Sequence, residues 1–471
     1  MTMQRSIFNV RVPISARDEV FLMNTLTDAQ LLVSTDVAAL LDRVGTDGKE
    51  IPLDGLEPEE REALELLRDN GFLVDDREAD RRELERRFTS TKNSAAELHI
   101  TVLTTLQCNF ACDYCFQGDH GDYNKFAEKM TLETAERTAT WIERELDRVH
   151  PERMMLAFFG GEPLLNLPVM YYLAERMGAA TKARGVDMGI NIITNGLLLT
   201  PEVVGRLKPY GLNGVKITLD GDRDTHNRMR PLRGGQGTFD RIVANIRQVA
   251  GTVRIAIGGN FDESSMDSYP ALLDFLREQD FADDLVKVNF KPIVRAEAPK
   301  PNGLLPLIQV NGRPLNGTCM SNVGTGAASV CDSCNVLDDK MTELREETQR
   351  HGFPTPDGVH GGLCHVHMKH AHTIGPDGSL YACPGFTGEK GLSTGHIDDR
   401  RESWRETSRE KFDRLDPWND CGDCAFIPVC AGGCMVASHT QLGDMNRPTC
   451  HKRSFESALI SLAHDAASAA A

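Results

Sequence analysis

The sequence predicts an α/β protein: a partial six-stranded β/α barrel of the TIM type, with a small N-terminal α+β domain and a cysteine-rich C-terminal domain. Two observations predict this fold class. Between residues 97 and 294, six apolar segments of strand length alternate with amphipathic helical segments, as in parallel βα units. None of the thirteen cysteines precedes Cys108, and ten lie between Cys319 and Cys450. Chemistry is therefore expected at the carboxyl ends of the barrel strands and in the C-terminal domain.

Residues 1–90 are predicted to form the N-terminal α+β domain. Strand-length segments begin at Phe8, Glu19 and Gln30, and helices follow from Thr35 and from about Pro58. The second helix should stop at Asn70-Gly71, a left-handed cap signal. Charges of alternating sign over residues 75–87 predict a solvated helical linker.

Residues 96–310 are predicted to form the barrel, 311–363 a bridging segment with a charged helix over about 336–350, and 364–471 the C-terminal domain. The predicted barrel strands begin at Leu98, Arg153, Gly189, Gly214, Val253 and Leu285. Each ends near glycine or polar residues, which is where a barrel places its ligands.

The chain has 471 residues and a formal net charge of −17. Such a surface repels phosphate backbones and anionic lipids, so neither a nucleic-acid nor a membrane partner is expected. No apolar run approaches the roughly 20 residues that span a bilayer, and the first residues lack the apolar core of a signal peptide. A cytoplasmic location is expected. Because disulfides are rare there, clustered cysteines indicate metal ligation.

The first predicted barrel strand runs into Cys108-x3-Cys112-x2-Cys115. A [4Fe–4S] cube normally takes four thiolates, so three on one loop leave one iron open. S-adenosylmethionine (SAM) can chelate that iron through its amine and carboxylate, and one electron then releases a 5′-deoxyadenosyl radical. A zinc knuckle, with His120 as a conceivable fourth ligand, is the alternative interpretation of the loop alone.

The loop, with Tyr114 before its last cysteine, resembles the signature of radical SAM enzymes. The second strand ends in Gly160-Gly161-Glu162-Pro163, a run that lines the SAM methionyl group in that family and that alone would be a turn signal. The resemblance also implies that Asn195, Thr218 and Asp220 contact SAM, although capping roles are equally open for Asn195 and Asp220. Arg230 could pair with the SAM carboxylate, and His226 is interpreted as structural.

The C-terminal cysteines follow the spacing Cys364-x13-Gly378-x4-Cys383, then Cys421-x2-Cys424-x5-Cys430-x3-Cys434, then Cys450. This resembles the SPASM pattern of radical SAM maturases at every interval. The resemblance implies two auxiliary [4Fe–4S] clusters and three clusters in all. Their ligand sets would be Cys421, Cys424, Cys430 and Cys450, and then Cys364, Cys383 and Cys434.

The second auxiliary set is one thiolate short of four. The pair Cys331-x2-Cys334 has ligand spacing, and Cys334 is preferred because it is nearer to Cys364. An open iron that binds substrate is the alternative. The histidines at positions 365, 367, 370 and 372 are interpreted as part of a strand beside a cluster, and not as metal ligands.

Radical SAM proteins with SPASM domains mostly modify ribosomally made peptides. The N-terminal unit resembles the winged-helix-like module that binds leader peptides by β-augmentation, with a structural cap as the alternative. The resemblance implies a maturase that forms thioether or carbon–carbon crosslinks and receives electrons from a flavodoxin or ferredoxin.

Two other functions remain open. One is an anaerobic sulfatase-maturing enzyme, although that group has Asp after the second SPASM cysteine and this chain has Pro384. The other is a non-catalytic iron–sulfur electron carrier, which would leave the Gly160–Pro163 run unexplained.

Overall fold

The computed structural model describes residues 3–14, 17–44, 57–115, 127–294, 332–356, 358–359, 361–399 and 409–469. The strands are β1 Gln4–Arg5, β2 Asn9–Ile14, β3 Glu19–Asn24, β4 Ala29–Ser34, β5 Leu73–Val74, β6 Glu97–Thr105, β7 Arg153–Gly160, β8 Asp187–Thr194, β9 Leu212–Thr218, β10 Arg254–Phe261, β11 Leu285–Pro292, β12 Ala371–Ile374, β13 Ser379–Tyr381 and β14 Ser393–His396. The α-helices are α1 Thr35–Arg43, α2 Pro58–Asp69, α3 Arg77–Asn93, α4 Leu132–Val149, α5 Leu167–Arg184, α6 Pro201–Leu207, α7 Arg223–Met229, α8 Phe239–Val249, α9 Tyr269–Arg277, α10 Asp332–Arg350, α11 Glu410–Asp413, α12 Ile427–Cys430, α13 Met435–Ala437 and α14 Lys452–Ala469.

The centre of the molecule is a nine-stranded sheet in the order β11-β10-β9-β8-β7-β6-β12-β13-β14. The six strands β6 to β11 all run parallel, so the predicted α/β fold class and its six barrel strands are confirmed. The sequence did not indicate that β12 also pairs with β6 in parallel, with Ala371 opposite His99. The C-terminal region therefore continues the sheet of the barrel.

The two faces of the parallel sheet differ in burial. On β9, Val215 and Ile217 are fully buried under the helices, whereas Lys216 and Thr218 are only half-buried. The buried face forms the main core with apolar side chains of α4, α5, α8 and α9. Since side chains alternate along a strand, the other residues line the concave inner face of the barrel, which is open and partly polar.

The N-terminal unit is a three-stranded antiparallel sheet, β2-β3-β4, followed by α1 and α2. The three predicted strands and both predicted helices are present. The predicted solvated linker is a helix, α3, but one side of it is buried, since Leu84 and Phe88 pack with Trp418 of the C-terminal region. The alternating charges did not reveal this buried side, because a helix that is charged over most of its surface can still carry one short apolar stripe.

The predicted bridging segment contains helix α10, which begins four residues before the predicted start. Cys319 and Cys331 lie outside the described residues, as does His120 of the alternative zinc site. No helix in the described part of the chain combines the length and the apolar character needed to cross a membrane.

Candidate functional site

The cysteine loop follows β6 and is held by the segment after α7. Arg233 donates from Nε to the carbonyl of Cys108 over 2.9 Å and from its backbone N–H to the carbonyl of Asn109 over 3.1 Å. The backbone N–H of Phe110 donates to the Cys108 sulfur over 3.4 Å. Such N–H donors stabilise a thiolate, whether or not iron is bound. Nothing in the sequence indicated the part played by Arg233.

Gly160 and Gly161 bring the end of β7 against this loop. A Cβ at Gly161 would lie 2.3 Å from the carbonyl oxygen of Gln107, and one at Gly160 would lie 2.2 Å from that of Thr105. Gly160 also has a φ of +133°, which side chains rarely adopt. The glycines are therefore required by the close approach of two backbone segments within the protein, a reason that the sequence alone did not reveal.

Glu162 is fully buried at the next position. One carboxylate oxygen accepts from the Leu164 backbone N–H over 2.9 Å and the Thr194 hydroxyl over 2.8 Å, and the other accepts from the Asn195 backbone N–H over 2.8 Å. Burial raises the pKa of Glu162 despite these bonds and the charge of Arg230. Its carboxylate thus ties the end of β7 to the end of β8. Pro163 begins the short 3-10 helix that follows.

Asn195 reaches the cysteine loop directly. Its amide donates to Oδ1 of Asn109 over 2.7 Å and lies 3.9 Å from the Cys108 sulfur. Asn109 was missed from the sequence, where nothing distinguishes it from an ordinary loop residue.

Tyr114, Asp220 and Arg230 meet below the loop. The Tyr114 hydroxyl donates to Asp220 and accepts from Nη1 of Arg230 over 2.5 Å, and Arg230 lies 3.4 Å from the same Asp220 oxygen. The other Asp220 oxygen accepts from the Asn260 backbone N–H over 2.7 Å. The structure thus joins three predicted site residues from three separate parts of the chain.

Nε of Arg230 is buried and has no hydrogen-bond partner among the described residues. A bidentate acceptor such as a carboxylate would satisfy it. Asn260, which was missed from the sequence, ends β10 as Asn195 follows β8, so the same rule of polar residues at strand ends could have found it. Thr218 ends β9 half-buried and takes no part in this network of described residues.

His226 is buried behind Asp220. Its Nδ1 accepts from the Asp220 backbone N–H over 3.1 Å, and Nε2 lies 3.1 Å from the Thr238 hydroxyl, which donates to the carbonyl of Arg230 over 2.8 Å. Burial lowers the pKa of His226 well below its usual value, so the ring is neutral. These contacts give His226 the structural part that the sequence suggested.

The ten cysteines whose side chains are described form no disulfide and lie in three groups. Besides burial, the charge of one thiolate raises the pKa of another within each group, which requires that they be neighbours. The groups are Cys108, Cys112 and Cys115; Cys364, Cys383 and Cys434; and Cys421, Cys424, Cys430 and Cys450. Cys450 is held near the last group through Thr449, whose backbone N–H donates to the carbonyl of Gly432, just after Cys430, over 2.9 Å. The Thr449 hydroxyl also accepts from the backbone N–H of Cys434 over 3.0 Å.

Burial raises the pKa of Cys108, Cys383 and Cys430 to about 12 and that of Cys421 to about 11. Deprotonation of these buried thiols therefore costs free energy unless a positively charged centre binds the thiolates. No three His, Cys, Asp or Glu side chains of the described residues lie close enough for one metal ion. A four-iron cube holds its thiolates further apart than one ion does, so the donors suit a cube better than zinc.

Cys334 is described only through its backbone in helix α10. Its assignment as a ligand stays a prediction, as does that of the alternative, Cys331. The predicted strand holds for His372, which lies in β12, but His365 and His367 lie in a short 3-10 helix. The His365 ring lies against that of His99 with centroids 4.4 Å apart, and His372 lies against Trp141 at 5.2 Å.

Residues 102–259, which hold the cysteine loop, the Gly160–Pro163 run and the Tyr114–Asp220–Arg230 network, match the Radical SAM superfamily. This match confirms the prediction of a radical SAM enzyme at the level of the family and implies a [4Fe–4S] cluster and SAM as cofactors.

Relatives extend the similarity beyond this stretch. The chain is 21% identical over 386 residues to the radical SAM cyclopropyl synthase TigE of Paramaledivibacter caminithermalis, covering 78% of this chain and 73% of that protein. It is 30% identical over 146 residues to an AdoMet-dependent heme synthase of Methanosarcina barkeri, covering 30% of this chain. The match covers only 36% of the length of that heme synthase, and the match to the Fe-coproporphyrin III synthase of the same organism covers only 40% of that protein.

Among solved structures, the radical SAM chain is similar in fold to anSMEcpe with bound AdoMet and the Cp18Cys peptide. The TM-score is 0.57 at 18% identity, covering 79% of this chain and 99% of that one. The two proteins thus share a fold over that part of the chain.

Proposed function

We propose that this radical SAM protein is a peptide maturase that forms a thioether or carbon–carbon crosslink in a ribosomally made precursor peptide. One observation carries the proposal: the described cysteines lie in three separate groups, and the N-terminal sheet packs beside one of them. A single-cluster enzyme would need neither the second and third groups nor that module.

Cys108, Cys112 and Cys115 would hold the radical-generating cluster. With SAM bound, that cluster supplies the electron that releases a 5′-deoxyadenosyl radical, which takes a hydrogen atom from the substrate. The proposed SAM contacts are Tyr114, Gly160, Gly161, Glu162, Pro163, Asn195, Thr218, Asp220 and Arg230. Of these, Arg230 has a buried donor still to be satisfied, whereas Glu162 and Asp220 orient the surrounding backbone.

Two auxiliary [4Fe–4S] clusters are proposed, which would make three in all. One would take Cys421, Cys424, Cys430 and Cys450. The other would take Cys364, Cys383 and Cys434, with Cys334, Cys331 or the substrate as the fourth ligand. Electrons would come from a flavodoxin- or ferredoxin-type donor.

The N-terminal sheet offers an edge for an extended peptide. Among the described strands β4 pairs only with β3, whereas β2 at the other edge packs against α14. An unpaired strand edge binds a peptide by adding it as a further strand. The free edge of β4 supports residues 1–90 as a recognition domain. For the rest of the chain, the proposed domains are residues 96–310 as the barrel, 311–363 as a bridge and 364–471 as the SPASM domain.

Sulfatase maturation is the weaker alternative, even though anSMEcpe shares the fold. Pro384 follows Cys383 and opens a short 3-10 helix over Pro384–Phe386, so this position has no carboxylate to accept a proton. A non-catalytic electron carrier would not need Gly160 and Gly161 to bring the end of β7 against the cysteine loop.

The test is to incubate the anaerobically reconstituted protein with SAM, a reductant and short peptides encoded beside its gene. We expect 5′-deoxyadenosine together with the loss of two hydrogen atoms per peptide in the mass spectrum. A protein with Cys108, Cys112 and Cys115 replaced by Ala is the control. A formylglycine product would favour sulfatase maturation, and absence of 5′-deoxyadenosine would favour the carrier.

A further inference from the structure

The inner face of the barrel carries three lysines. Lys216 lies on β9, and Lys287 and Lys291 lie four residues apart on β11, all at positions that alternate with buried apolar residues. The three are therefore on the concave side of the sheet. In a chain with a net charge of −17, such a group of cations is an exception to the overall charge.

The side chain of Lys216 extends over the neighbouring strand β10, which separates it from β11. Ala256 of β10 lies between Lys216 and Lys287 in the strand register. Two residues further along β10, a Cβ at Gly258 would lie only 2.6 Å from Cε of Lys216 and 3.3 Å from its Nζ. The absence of a side chain at Gly258 thus gives Lys216 its path over β10.

The three ammonium groups repel one another. Burial, together with the charges of Lys291 and Lys287, lowers the pKa of Lys216 to about 8. A cationic group held in this way binds an anion favourably, because the anion relieves the repulsion.

The lysines lie near the network beneath the cysteine loop. Lys291 is opposite Asn260 in the register of β10 and β11, and the backbone N–H of Asn260 donates to Asp220 in that network. A substrate side chain held by Lys291 would therefore lie close to the Tyr114–Asp220–Arg230 network.

We infer that Lys216, Lys287 and Lys291 form a carboxylate-binding subsite for an acidic side chain of the peptide substrate. The inference rests on the proposed function and adds the chemistry by which the substrate is selected. A peptide carboxylate is preferred to a phosphate because the proposed substrate is a peptide. Of the inner-face neighbours, Ile193 lies beside Lys216 and Asn289 lies between Lys287 and Lys291. Lysine ammonium groups also contact a single carboxylate as separate point charges.

The experiment measures binding to the anaerobically reconstituted holoenzyme with SAM. The probes are a synthetic peptide, acetyl-Gly-Glu-Gly-Glu-Gly-amide, and the same peptide with Gln in place of Glu, titrated by calorimetry. We expect the Glu peptide to bind and the Gln peptide to bind at least about fivefold more weakly. Lys216→Gln and Lys291→Gln should each weaken binding of the Glu peptide about fivefold.

Two further variants sharpen the test. Lys182→Gln, on the outer side of α5, removes one exposed lysine elsewhere and should leave both affinities unchanged. Gly258→Ala removes no charge but blocks the path of Lys216, and it should weaken binding of the Glu peptide as Lys216→Gln does. Circular dichroism would show that each variant is folded.

Equal affinity for the two peptides, no binding of the Glu peptide, or full affinity in the lysine variants would each overturn the inference. Displacement of the Glu peptide by inorganic phosphate at lower concentration than by acetate would also overturn it, in favour of a phosphate site. Selective binding without modification of any precursor would overturn the proposed function but leave this subsite standing. Modification of a precursor that lacks acidic residues would overturn this subsite but leave the proposed function standing.

Discussion

The indole N–H of Trp418 donates a hydrogen bond to the carboxylate of Glu85 over 3.0 Å, and so connects α3 to the loop that carries Cys421 and Cys424. The rings of Phe88 and Trp418 meet edge to face at 4.7 Å. Asp423, between those two cysteines, pairs with Arg77 and Arg81. The N-terminal residues therefore form one wall of the region around this cysteine group.

Replacement of Trp418 should loosen that wall. Trp418→Phe loses the hydrogen bond and part of the buried ring and should lower the free energy of unfolding by about 2 kcal/mol, whereas Trp418→Ala should lower it by about 3–5 kcal/mol. Leu66→Ala, at an exposed residue of α2, is the control and should change it by less than about 0.5 kcal/mol. Urea titrations under anaerobic conditions would measure these values, and equal effects of the two Trp418 variants would contradict the packing.

Removal of the first cysteine group should remove one cluster. Anaerobic reconstitution is expected to load about twelve irons per chain, and Cys108→Ala, Cys112→Ala and Cys115→Ala together should leave about eight. SAM cleavage should cease because no open iron remains. Iron analysis and 5′-deoxyadenosine assays would measure both effects. Retention of all the iron would contradict the assignment.

The eighth auxiliary ligand can be identified by single substitutions. If Cys334 completes the group of Cys364, Cys383 and Cys434, then Cys334→Ala should alter the paramagnetic spectrum of one cluster, while Cys331→Ala should not. Native spectra and product yield in both variants would favour an open iron that binds substrate.

Gly161 should tolerate no side chain. In Gly161→Ala the new Cβ would lie 2.3 Å from the carbonyl oxygen of Gln107, so the cysteine loop must shift, and we expect a loss of stability and of iron from the first group. Gly205→Ala is the matched control. Gly205 lies in α6, where a methyl group would have no described atom within 4 Å, so the variant should be about 0.5–1 kcal/mol more stable. Thermal unfolding and iron content would distinguish them, and similar behaviour of both would contradict the close approach.

Acid should destabilise the protein partly through His226. Its folded pKa is depressed, so the unfolded chain binds a proton below about pH 6.5 while the folded chain does not, and this stability is lost as the pH falls. Between pH 7.5 and 5.5 this costs on the order of 1 kcal/mol. His226→Gln should show a smaller loss over that interval than the unaltered protein. Identical losses in urea titrations at both pH values would count against a neutral buried ring.

Much of the fold and of the site could be predicted from the sequence because the signals are local. The six parallel strands show as apolar runs separated by amphipathic helices, and each is present between Glu97 and Pro292. The spacing of Cys108, Cys112 and Cys115 lies within one loop, where the number of intervening residues limits the distance between sulfurs. The polar positions after the strands, such as Asn195 and Asp220, follow from the geometry of parallel sheets.

What only the tertiary structure decided depends on contacts between distant residues. The sequence could not show that Gly258 gives the Lys216 side chain room over β10, or that Thr25 of the N-terminal sheet bonds to the carbonyl of Ala425 beside the cysteines. Nor could it show that Gly160 and Gly161 are needed for backbone contact within the protein. Each of these contacts depends on the path of the chain between the partners, which short-range patterns do not encode.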